Sequence, residues 1–234
     1  MKIAVLGTGA VGQTIAEKLL QTGNEVMMGT RNVEEALSRN AKDMFGRPPF
    51  SEWHIQHSAI KVGTFSEAAA FGEMVVNATN GFGSLNALQL AGKENLANKV
   101  MLDVSNPLDF SKGMPPSLFV SNTDSLGEQI QNALPDTKVV KGLNTMNAWV
   151  MVNPSLVPGD HNVFLSGNDA GAKSKVTDLL ETFGWTRENV MDIGDITTAR
   201  GAEQLVAMWV RILGAIKNPI FNFHVVVGPP PPQM

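Results

Sequence analysis

The sequence predicts an α/β fold with a mostly parallel sheet that carries helices on both faces. Short apolar runs alternate with segments in which apolar side chains recur at helical spacing. The first apolar run, residues 3–6, leads directly into the glycine-rich stretch of residues 7–12, and a helical segment follows at once. Because parallel strands need crossover connections, this alternation indicates a doubly wound sheet.

The composition limits the classes of function. The chain has 234 residues, of which 43% are hydrophobic and 17% charged, as in ordinary globular proteins. Its net charge of −4 argues against a nucleic-acid partner. No apolar run approaches the length of a membrane span, and no signal peptide is recognisable at the start, so we expect a cytoplasmic protein without a membrane partner. The chain has no cysteine and no tyrosine, which excludes thiolate chemistry and a tyrosine proton donor.

The first elements follow from apolar spacing and from turn residues. Residues 3–6 predict a strand and residues 10–20 a helix closed by a Gly-Asn pair. A second strand is predicted over residues 25–29 and a second helix over residues 33–44. Residues 46–58, which include two prolines and a tryptophan, are predicted to be irregular.

The same criteria predict the remaining elements. The predicted strands are residues 60–63, 73–77, 99–104, 138–141, 162–166 and 189–193, and the predicted helices are residues 66–71, 84–91, 125–134, 170–183 and 197–216. Residues 106–122, rich in proline and serine, predict a loop.

Three regions are expected along the chain. Residues 1–145 form a nucleotide-binding core, and residues 146–227 form a C-terminal α/β extension that packs on the same globule. Residues 228–234 form a flexible proline-rich tail, because proline cannot donate to helices or sheets.

The stretch Gly7-Thr8-Gly9-Ala10-Val11-Gly12 fits the pattern G-x-G-x-x-G. It lies between a strand and a helix, which is the context that a dinucleotide-binding loop requires. The first glycine permits the tight turn, the second lets the backbone approach a pyrophosphate, and the third lets the helix pack on the strand. The alternative is a tight turn without a ligand. The motif therefore predicts a Rossmann-type fold that binds a dinucleotide.

The tip of the second predicted strand favours NADP over NAD. NAD sites usually carry an Asp or Glu here that binds the ribose 2′-hydroxyl. This chain instead has Thr30 and Arg31, a hydroxyl and a guanidinium that suit a 2′-phosphate. The alternative is a solvated arginine on a loop.

Small polar side chains follow three later strands, at Asn77-Ala78-Thr79, at Ser105-Asn106 and at Asn144-Thr145. Ligands of doubly wound sheets bind beyond the carboxyl ends of the strands. These side chains could therefore contact the ribose and nicotinamide without adding charge. The alternative is that each asparagine simply forms a turn.

Two other sets of residues have competing interpretations. His54 and His57 could share a helix face and hold a metal, but a loop packed by Trp53 is favoured, or a lid over the site, and no metal site is predicted. Lys141 could meet an acidic acceptor, or it could be a solvated strand end.

Near the C-terminus, Arg200 and Glu203 are predicted to pair along a helix. The apolar stripe Leu205, Met208, Trp209 and Ile212 is predicted to lie in the core or in a dimer interface.

In combination, five segments resemble those of known proteins. These are the glycine loop, Gly29-Thr30-Arg31, Asp103–Leu108 with Val140–Thr145, and the late Ala199-Arg200-Gly-Ala-Glu203. The chain is similar to NADPH-dependent deazaflavin (coenzyme F420) oxidoreductases and to the cytosolic reductase domain of six-transmembrane metalloreductases. Where those families often have a second basic residue after the arginine, this chain has Asn32-Val33-Glu34.

The resemblance implies a dimeric enzyme in which NADPH passes hydride to a flavin or deazaflavin ring. It implies that Thr8, Ala10 and Val11 join Gly7, Gly9 and Gly12 at the phosphates and that Thr30 and Arg31 bind the 2′-phosphate. It also implies that Asn77, Ala78 and Thr79 flank the ribose and nicotinamide and that Asn144 lies near the nicotinamide, while Asn106 is predicted at the site from its strand end alone.

The predicted function is thus an NADP-dependent oxidoreductase that acts on a small-molecule acceptor, with no catalytic residue assigned. Two alternatives remain. A non-catalytic module could sense NADP(H), or the enzyme could reduce a small imine or carbonyl, which would need a proton donor.

Overall fold

The computed structural model describes residues 1–42 and 47–230. It contains an eight-stranded sheet and a separate two-stranded ribbon. The strands are β1 (Lys2–Leu6), β2 (Glu25–Thr30), β3 (Lys61–Thr64), β4 (Met74–Asn77), β5 (Val100–Asp103), β6 (Leu108–Asp109), β7 (Ser117–Leu118), β8 (Lys138–Lys141), β9 (Val163–Ser166) and β10 (Val190–Gly194). The sheet order is β10-β9-β8-β5-β4-β1-β2-β3, and β6 pairs with β7.

The helices connect these strands across both faces of the sheet. They are α1 (Ala10–Gln21), α2 (Val33–Ser38), α3 (Phe50–Gln56), α4 (Phe65–Phe71), α5 (Gly81–Ala91), α6 (Lys93–Leu96), α7 (Leu126–Ala133), α8 (Ala148–Val152), α9 (Ala170–Phe183) and α10 (Ala199–Ile216). Side-chain caps begin several of them, as at α4, where Thr64 and Glu67 form a reciprocal capping box.

Strand pairing confirms the predicted Rossmann-type, doubly wound and mostly parallel sheet with a C-terminal α/β extension. Strands β3, β2, β1, β4, β5 and β8 are parallel, and β9 and β10 are parallel to each other. The antiparallel step lies between β8 and β9, where Lys141 pairs with Ser166. The carboxyl ends of β1, β2, β4, β5 and β8 therefore meet along one edge, where such sheets bind ligands.

The core lies on both faces of the sheet, because side chains alternate along each strand. From β1, Ile3 and Val5 enter the layer beneath α1, whereas Ala4 and Leu6 enter the layer beneath α4 and α5. All four are fully buried. Burial on both faces explains why the strands are continuous apolar runs in the sequence.

Two predictions for residues 33–58 are wrong. Helix α2 ends at Ser38 because Arg39 adopts an extended backbone, and residues 43 and 44 of the predicted helix lie outside the described part of the chain. Residues 50–56, predicted to be irregular, form α3. The extended Pro49 precedes this helix, and Phe50 is buried and stacks on Trp53 at 5.7 Å between ring centroids.

Four smaller elements were not predicted. Residues 106–122 are not wholly a loop, because Leu108 pairs with Leu118 and Asp109 with Ser117 across β6 and β7. Helices α6 and α8 are four and five residues long, too short for helical periodicity to show.

Within the described ranges, no helix is long and apolar enough to cross a membrane. Residues 228–230 are exposed, and residues 231–234 of the predicted tail lie outside the description. The division of the chain at residue 145 and the flexibility of the tail stay predictions.

Candidate cofactor-binding site

The glycine loop connects β1 to α1 in a turn that accepts no larger residue at two positions. Gly7 has a φ of +112°, and a Cβ there would lie 2.7 Å from the Ala78 carbonyl oxygen. A Cβ on Gly12 would lie 2.2 Å from the Gly7 carbonyl oxygen. The turn therefore depends on glycine for its conformation at residue 7 and for close packing at residue 12.

Gly9 has a different role, because a Cβ there would meet no atom within 4 Å. Gly9 is the N-cap of α1, its backbone is extended, and no side chain caps this end of the helix. The first N–H groups of α1 and the positive end of its dipole are thus open to an anion. A cofactor pyrophosphate fits this position.

A cavity of about 410 Å³, which we call the cofactor groove, extends from the glycine loop toward the tip of β2. Its lining residues are Gly7, Thr8, Gly9, Thr30, Arg31, Arg39, Phe65, Ala78, Thr79, Asn80, Gly83, Asn86 and Ala87. Seven of the predicted cofactor-binding residues therefore line the cofactor groove. Arg39 was missed, since it lies beyond the turn in which a second basic residue is usual.

Not all predicted residues line the groove. Ala10 lines the two neighbouring cavities described below. Val11 packs against the core, and Gly12 is buried. Asn106 and Asn144 lie at the neighbouring strand ends, as described below.

We expect Arg31→Gln to weaken NADPH binding about tenfold to a hundredfold, because a hydrogen bond to a charged group contributes roughly 1.5–3 kcal/mol. NADH lacks the 2′-phosphate, so its affinity should change by less than about twofold. Calorimetry with both nucleotides measures the difference. Equal weakening of NADPH and NADH binding would show that Arg31 does not bind the 2′-phosphate. Arg187→Gln, at an exposed ion pair with Asp178, is the control.

Asn77 contributes to the site through buried hydrogen bonds. Its side chain is fully buried and donates to Ser84 Oγ at 2.8 Å and to Asp103 Oδ1 at 2.9 Å. Its Oδ1 accepts from Thr79 Oγ1 at 2.7 Å, which fixes Thr79 at the groove wall. The predicted contact between Asn77 and the cofactor stays a prediction.

Asn106 and Asn144 join the ends of β5 and β8. Asn106 Nδ2 donates to the Asn144 backbone oxygen at 2.8 Å, and Asn144 Nδ2 donates to Asn106 Oδ1 at 3.0 Å and to the Ala202 carbonyl at 3.2 Å. Asn144 is 2% exposed, and its Oδ1 has no hydrogen-bond partner among the described residues. A Cβ on Gly81 would lie 2.0 Å from the Asn106 carbonyl oxygen, so α5 begins directly against this junction.

A buried charge cluster lies beneath these strand ends. Lys141 Nζ is 2.6 Å from Asp103 Oδ2 and 2.9 Å from Glu203 Oε1, and the three side chains are at most 2% exposed. Burial alone would lower the pKa of Lys141, but the two carboxylates raise it above its ordinary value. Lys141 is therefore neither a solvated strand end nor a contact for an acidic acceptor, and both predictions are wrong.

The predicted pair between Arg200 and Glu203 is also wrong. Arg200 Nε donates to Glu128 Oε2 at 2.8 Å and thereby joins α10 to α7. This hydrogen bond is the main cause that lowers the pKa of Glu128. Helical spacing suggested the pair, but Glu203 binds Lys141 and the first N–H groups of α7, whereas Arg200 binds Glu128. Asp103 and Lys141 pair across β5 and β8, a register that the sequence does not show.

His54 in α3 and His57, which follows the helix, contact backbone atoms. His54 Nε2 lies 2.9 Å from the Ile60 carbonyl oxygen, and His57 Nδ1 lies 2.7 Å from that of Trp53. The His57 ring stacks on Trp53 at 4.3 Å. The described residues contain no group of three His, Cys, Asp or Glu side chains placed to hold a metal.

Two further cavities of about 220 Å³ each adjoin the glycine loop along the outer face of α1, and we call them the α1 cavities. One shares Thr8 and Gly9 with the cofactor groove and reaches Pro49 and Phe50. The other extends over Gln13 toward Trp53 and Trp149, among other residues. The α1 cavities share Ala10, Gln13, Arg47 and Pro48. Trp149 is 52% exposed, which leaves an aromatic face open beside the start of α1.

Comparison with known proteins agrees with this geometry. A family model described as NADP oxidoreductase, coenzyme F420-dependent, matches residues 2–107, which hold the glycine loop and the ends of β2, β4 and β5. The crystal structure of a proposed F420-dependent NADP reductase from Arthrobacter sp. FB24 is 53% identical to this chain and has a TM-score of 0.91. The match covers 97% of this chain and 100% of that one. The chain belongs to the coenzyme F420-dependent NADP oxidoreductase family.

Other relatives of this F420-dependent family are more distant. The F420-dependent NADP reductase of Methanothermobacter marburgensis is 28% identical over 95% of this chain and 96% of its own length. Metalloreductase STEAP3 of Rattus norvegicus is 26% identical over 93% of this chain, which spans 38% of that protein. An imine reductase from Streptomyces aurantiacus, 18% identical with a TM-score of 0.60 over 92% of this chain and 64% of its own, shares the fold alone.

Family membership confirms the resemblance noted in the sequence and the predicted NADP(H) cofactor. This member of the F420-dependent family is an NADP-dependent oxidoreductase, and NADP(H) is its cofactor. The groove fits that cofactor, because an open helix N-terminus for the pyrophosphate and an arginine for the 2′-phosphate face the same cavity.

Proposed function

We propose that this enzyme transfers hydride between NADPH and a flavin-like or deazaflavin acceptor. The observation that supports this most is the continuity of the cofactor groove with the α1 cavities at Thr8 and Gly9. A dinucleotide in the groove leaves space beside the start of α1 for a second planar ring. The name of the relative from M. marburgensis supports the same class of acceptor.

In this proposal, the adenosine end of NADPH lies in the cofactor groove. Thr30 and Arg31 bind the 2′-phosphate, and Arg39 adds a second cation at the rim of the groove. Arg39 lies 3.7 Å from Glu35 in an exposed pair, which a phosphate can displace at little cost. The N–H groups at the start of α1 bind the pyrophosphate.

The nicotinamide end then extends toward the junction of Asn106 and Asn144. Ala78 and Thr79, which line the cofactor groove, flank the ribose. Amide and hydroxyl groups orient a neutral ring through hydrogen bonds without adding charge. Hydride transfer between rings depends on alignment and on exclusion of water, and the cofactor supplies the chemistry when bound.

The acceptor ring is proposed to lie in the α1 cavities, whose lining includes Pro48, Trp53 and Trp149. Aromatic faces suit a planar ring. Arg39 and Lys42 line the α1 cavity nearer the groove, and Arg47 lines both. We therefore expect an acceptor with an anionic substituent to bind better than its neutral analogue.

The two alternatives are less well supported. A small imine or carbonyl must gain a proton as well as a hydride, and the chain has no tyrosine or cysteine to donate one. A sensor that does not react would need no second cavity, whereas the α1 cavities adjoin the cofactor groove at Thr8 and Gly9.

The test is anaerobic hydride transfer from NADPH or NADH to riboflavin, FMN and a deazaflavin. We expect NADPH to be preferred, at least one ring to be reduced, and FMN to show a lower KM than riboflavin. Tight NADPH binding without reduction of any ring would favour the sensor. Equal KM values for FMN and riboflavin would contradict the placement of the acceptor beside the basic residues.

We also propose that the enzyme is a homodimer. The second half of α10 is poorly covered: Met208 is 55% exposed and Ile216 is 51% exposed, and the following segment exposes Val226 and Val227 by more than 80%. An apolar surface of this kind is typical of an interface. Light scattering measures the mass directly, and a monomer at micromolar concentration would contradict the proposal. The cytoplasmic location stays a prediction.

A further inference from the structure

Glu203 is the member of the buried charge cluster that comes from the C-terminal helix. Both of its carboxylate oxygens are engaged. Oε1 accepts from Lys141 Nζ and from the Gly127 N–H at 2.9 Å, and Oε2 accepts from the Leu126 N–H at 2.8 Å. The carboxylate thus ties α10 to the first turn of α7 and to β8. A Cβ on Gly127 would lie 3.2 Å from Lys141 Cε and 3.1 Å from the Ala199 Cβ, so this junction has no spare room.

The cluster reaches the site through Lys141. The Lys141 ammonium donates to the Ser105 carbonyl oxygen at 2.8 Å, in addition to its two carboxylate partners. Asp103 Oδ1 accepts from the Ser105 N–H at 3.1 Å and from Ser105 Oγ at 2.7 Å. The backbone at Ser105 is therefore held from two sides, and Asn106 follows it directly. The Lys141 ammonium thus has two carboxylate oxygens and one carbonyl oxygen within 2.9 Å.

Burial of one cation with two carboxylates costs desolvation free energy and adds little net stability compared with apolar packing. The cluster lies directly beneath the strand ends at which the nicotinamide is proposed to bind. Neither hydride transfer nor binding of the 2′-phosphate uses the three charges directly. Their position therefore indicates that the three charges fix the geometry of these strand ends.

We propose that Glu203 is a positioning residue for hydride transfer. It fixes Lys141, and through Lys141 it fixes the Ser105–Asn106 backbone against which the nicotinamide end of the cofactor lies. This inference rests on the proposed function. The adenosine end is held by the cofactor groove, which shares no residue with the cluster, so the two ends of the cofactor respond differently to a change at Glu203.

Glu203→Gln replaces one acceptor oxygen by an amide nitrogen, which cannot accept from Lys141 or from α7. We expect the dissociation constant of 2′,5′-ADP, which lacks the nicotinamide, to stay within about twofold of that of the wild type. Single-turnover hydride transfer from NADPH to FMN should slow at least about tenfold. The fluorescence of the bound nicotinamide of NADPH should change as well, which reports its surroundings without any reaction.

Glu128→Gln is the matched control. It also removes a poorly exposed carboxylate that joins α7 to α10, but that carboxylate binds Arg200 and Ser125 and touches no strand end. Equal slowing in the two variants, or a parallel loss of affinity for 2′,5′-ADP and NADPH, would overturn the proposal. If the wild type reduces no acceptor, the proposed function fails, and the fluorescence comparison still decides the role of Glu203.

Gly127→Ala provides a second variant in case Glu203→Gln does not fold. The added methyl group crowds Lys141 and Ala199 by a few tenths of an ångström and leaves every charge in place. We expect slower hydride transfer with unchanged 2′,5′-ADP affinity. Gly201→Ala, where a Cβ meets nothing within 4 Å, should behave as the wild type. A Gly127→Ala variant that transfers hydride at the wild-type rate would count against the proposal.

Discussion

Lys141→Met should lower the free energy of unfolding by about 3–5 kcal/mol, the largest effect that we expect from a single substitution. Methionine matches the length of the lysine chain but leaves Asp103 and Glu203 buried without their cation. The two carboxylates then repel each other in a poorly solvated site. Urea unfolding followed by circular dichroism measures the loss.

Lys138→Met is the matched control for Lys141→Met. Lys138 begins the same strand and lies 3.0 Å from Asp169, with side chains 46% and 36% exposed. An exposed pair contributes less than about 1 kcal/mol. In the double variant of Lys141→Met and Glu203→Gln, one of the two buried charges is removed, so it should be more stable than Lys141→Met alone. Equal losses at Lys141 and Lys138 would show that the buried cluster contributes no more than a surface pair.

Gly9→Val should strongly weaken cofactor binding while the fold remains. A Cβ at this position meets no protein atom within 4 Å, and the backbone, with φ −75° and ψ 176°, suits any residue. We expect the free energy of unfolding to change by less than about 1 kcal/mol. The branched side chain would occupy the space in which a pyrophosphate approaches α1, so the NADPH dissociation constant should rise at least about tenfold.

Gly12→Ala provides the contrast to Gly9→Val. Its Cβ would lie 2.2 Å from the Gly7 carbonyl oxygen, so both stability and binding should fall. Calorimetry with NADPH and thermal unfolding of both variants separate the two effects. Normal NADPH affinity in Gly9→Val would refute the placement of the pyrophosphate.

The sheet and the glycine loop could be predicted from sequence because they rest on local patterns. Buried parallel strands are continuous apolar runs, and the loop combines fixed spacing with a strand and a helix on either side. Thr30 and Arg31 could be chosen as candidate residues because of their spacing in sequence from that loop. These features need no knowledge of contacts between distant segments.

The predictions that failed depend on contacts between residues far apart in sequence. Arg200 and Glu203 have helical spacing, yet each binds a residue more than 60 positions away. Lys141 ends a strand with a charge, and only the neighbouring strand and α10 show why it is buried. Helix α3 is stabilised by packing of Phe50 and by stacking of Trp53 on His57, which composition does not show.

Helix α10 contributes to two surfaces at once, and this constrains how the enzyme can diversify. Its first turns hold Glu203 beneath the strand ends, and its later turns expose Met208 and Ile216. Its 18 residues form one rigid rod of about 27 Å. A substitution that tilts α10 to suit a different subunit interface also displaces Glu203. New acceptor specificity is therefore expected to evolve more readily in the segments that carry Pro48 and Trp149, which can change without moving the cluster.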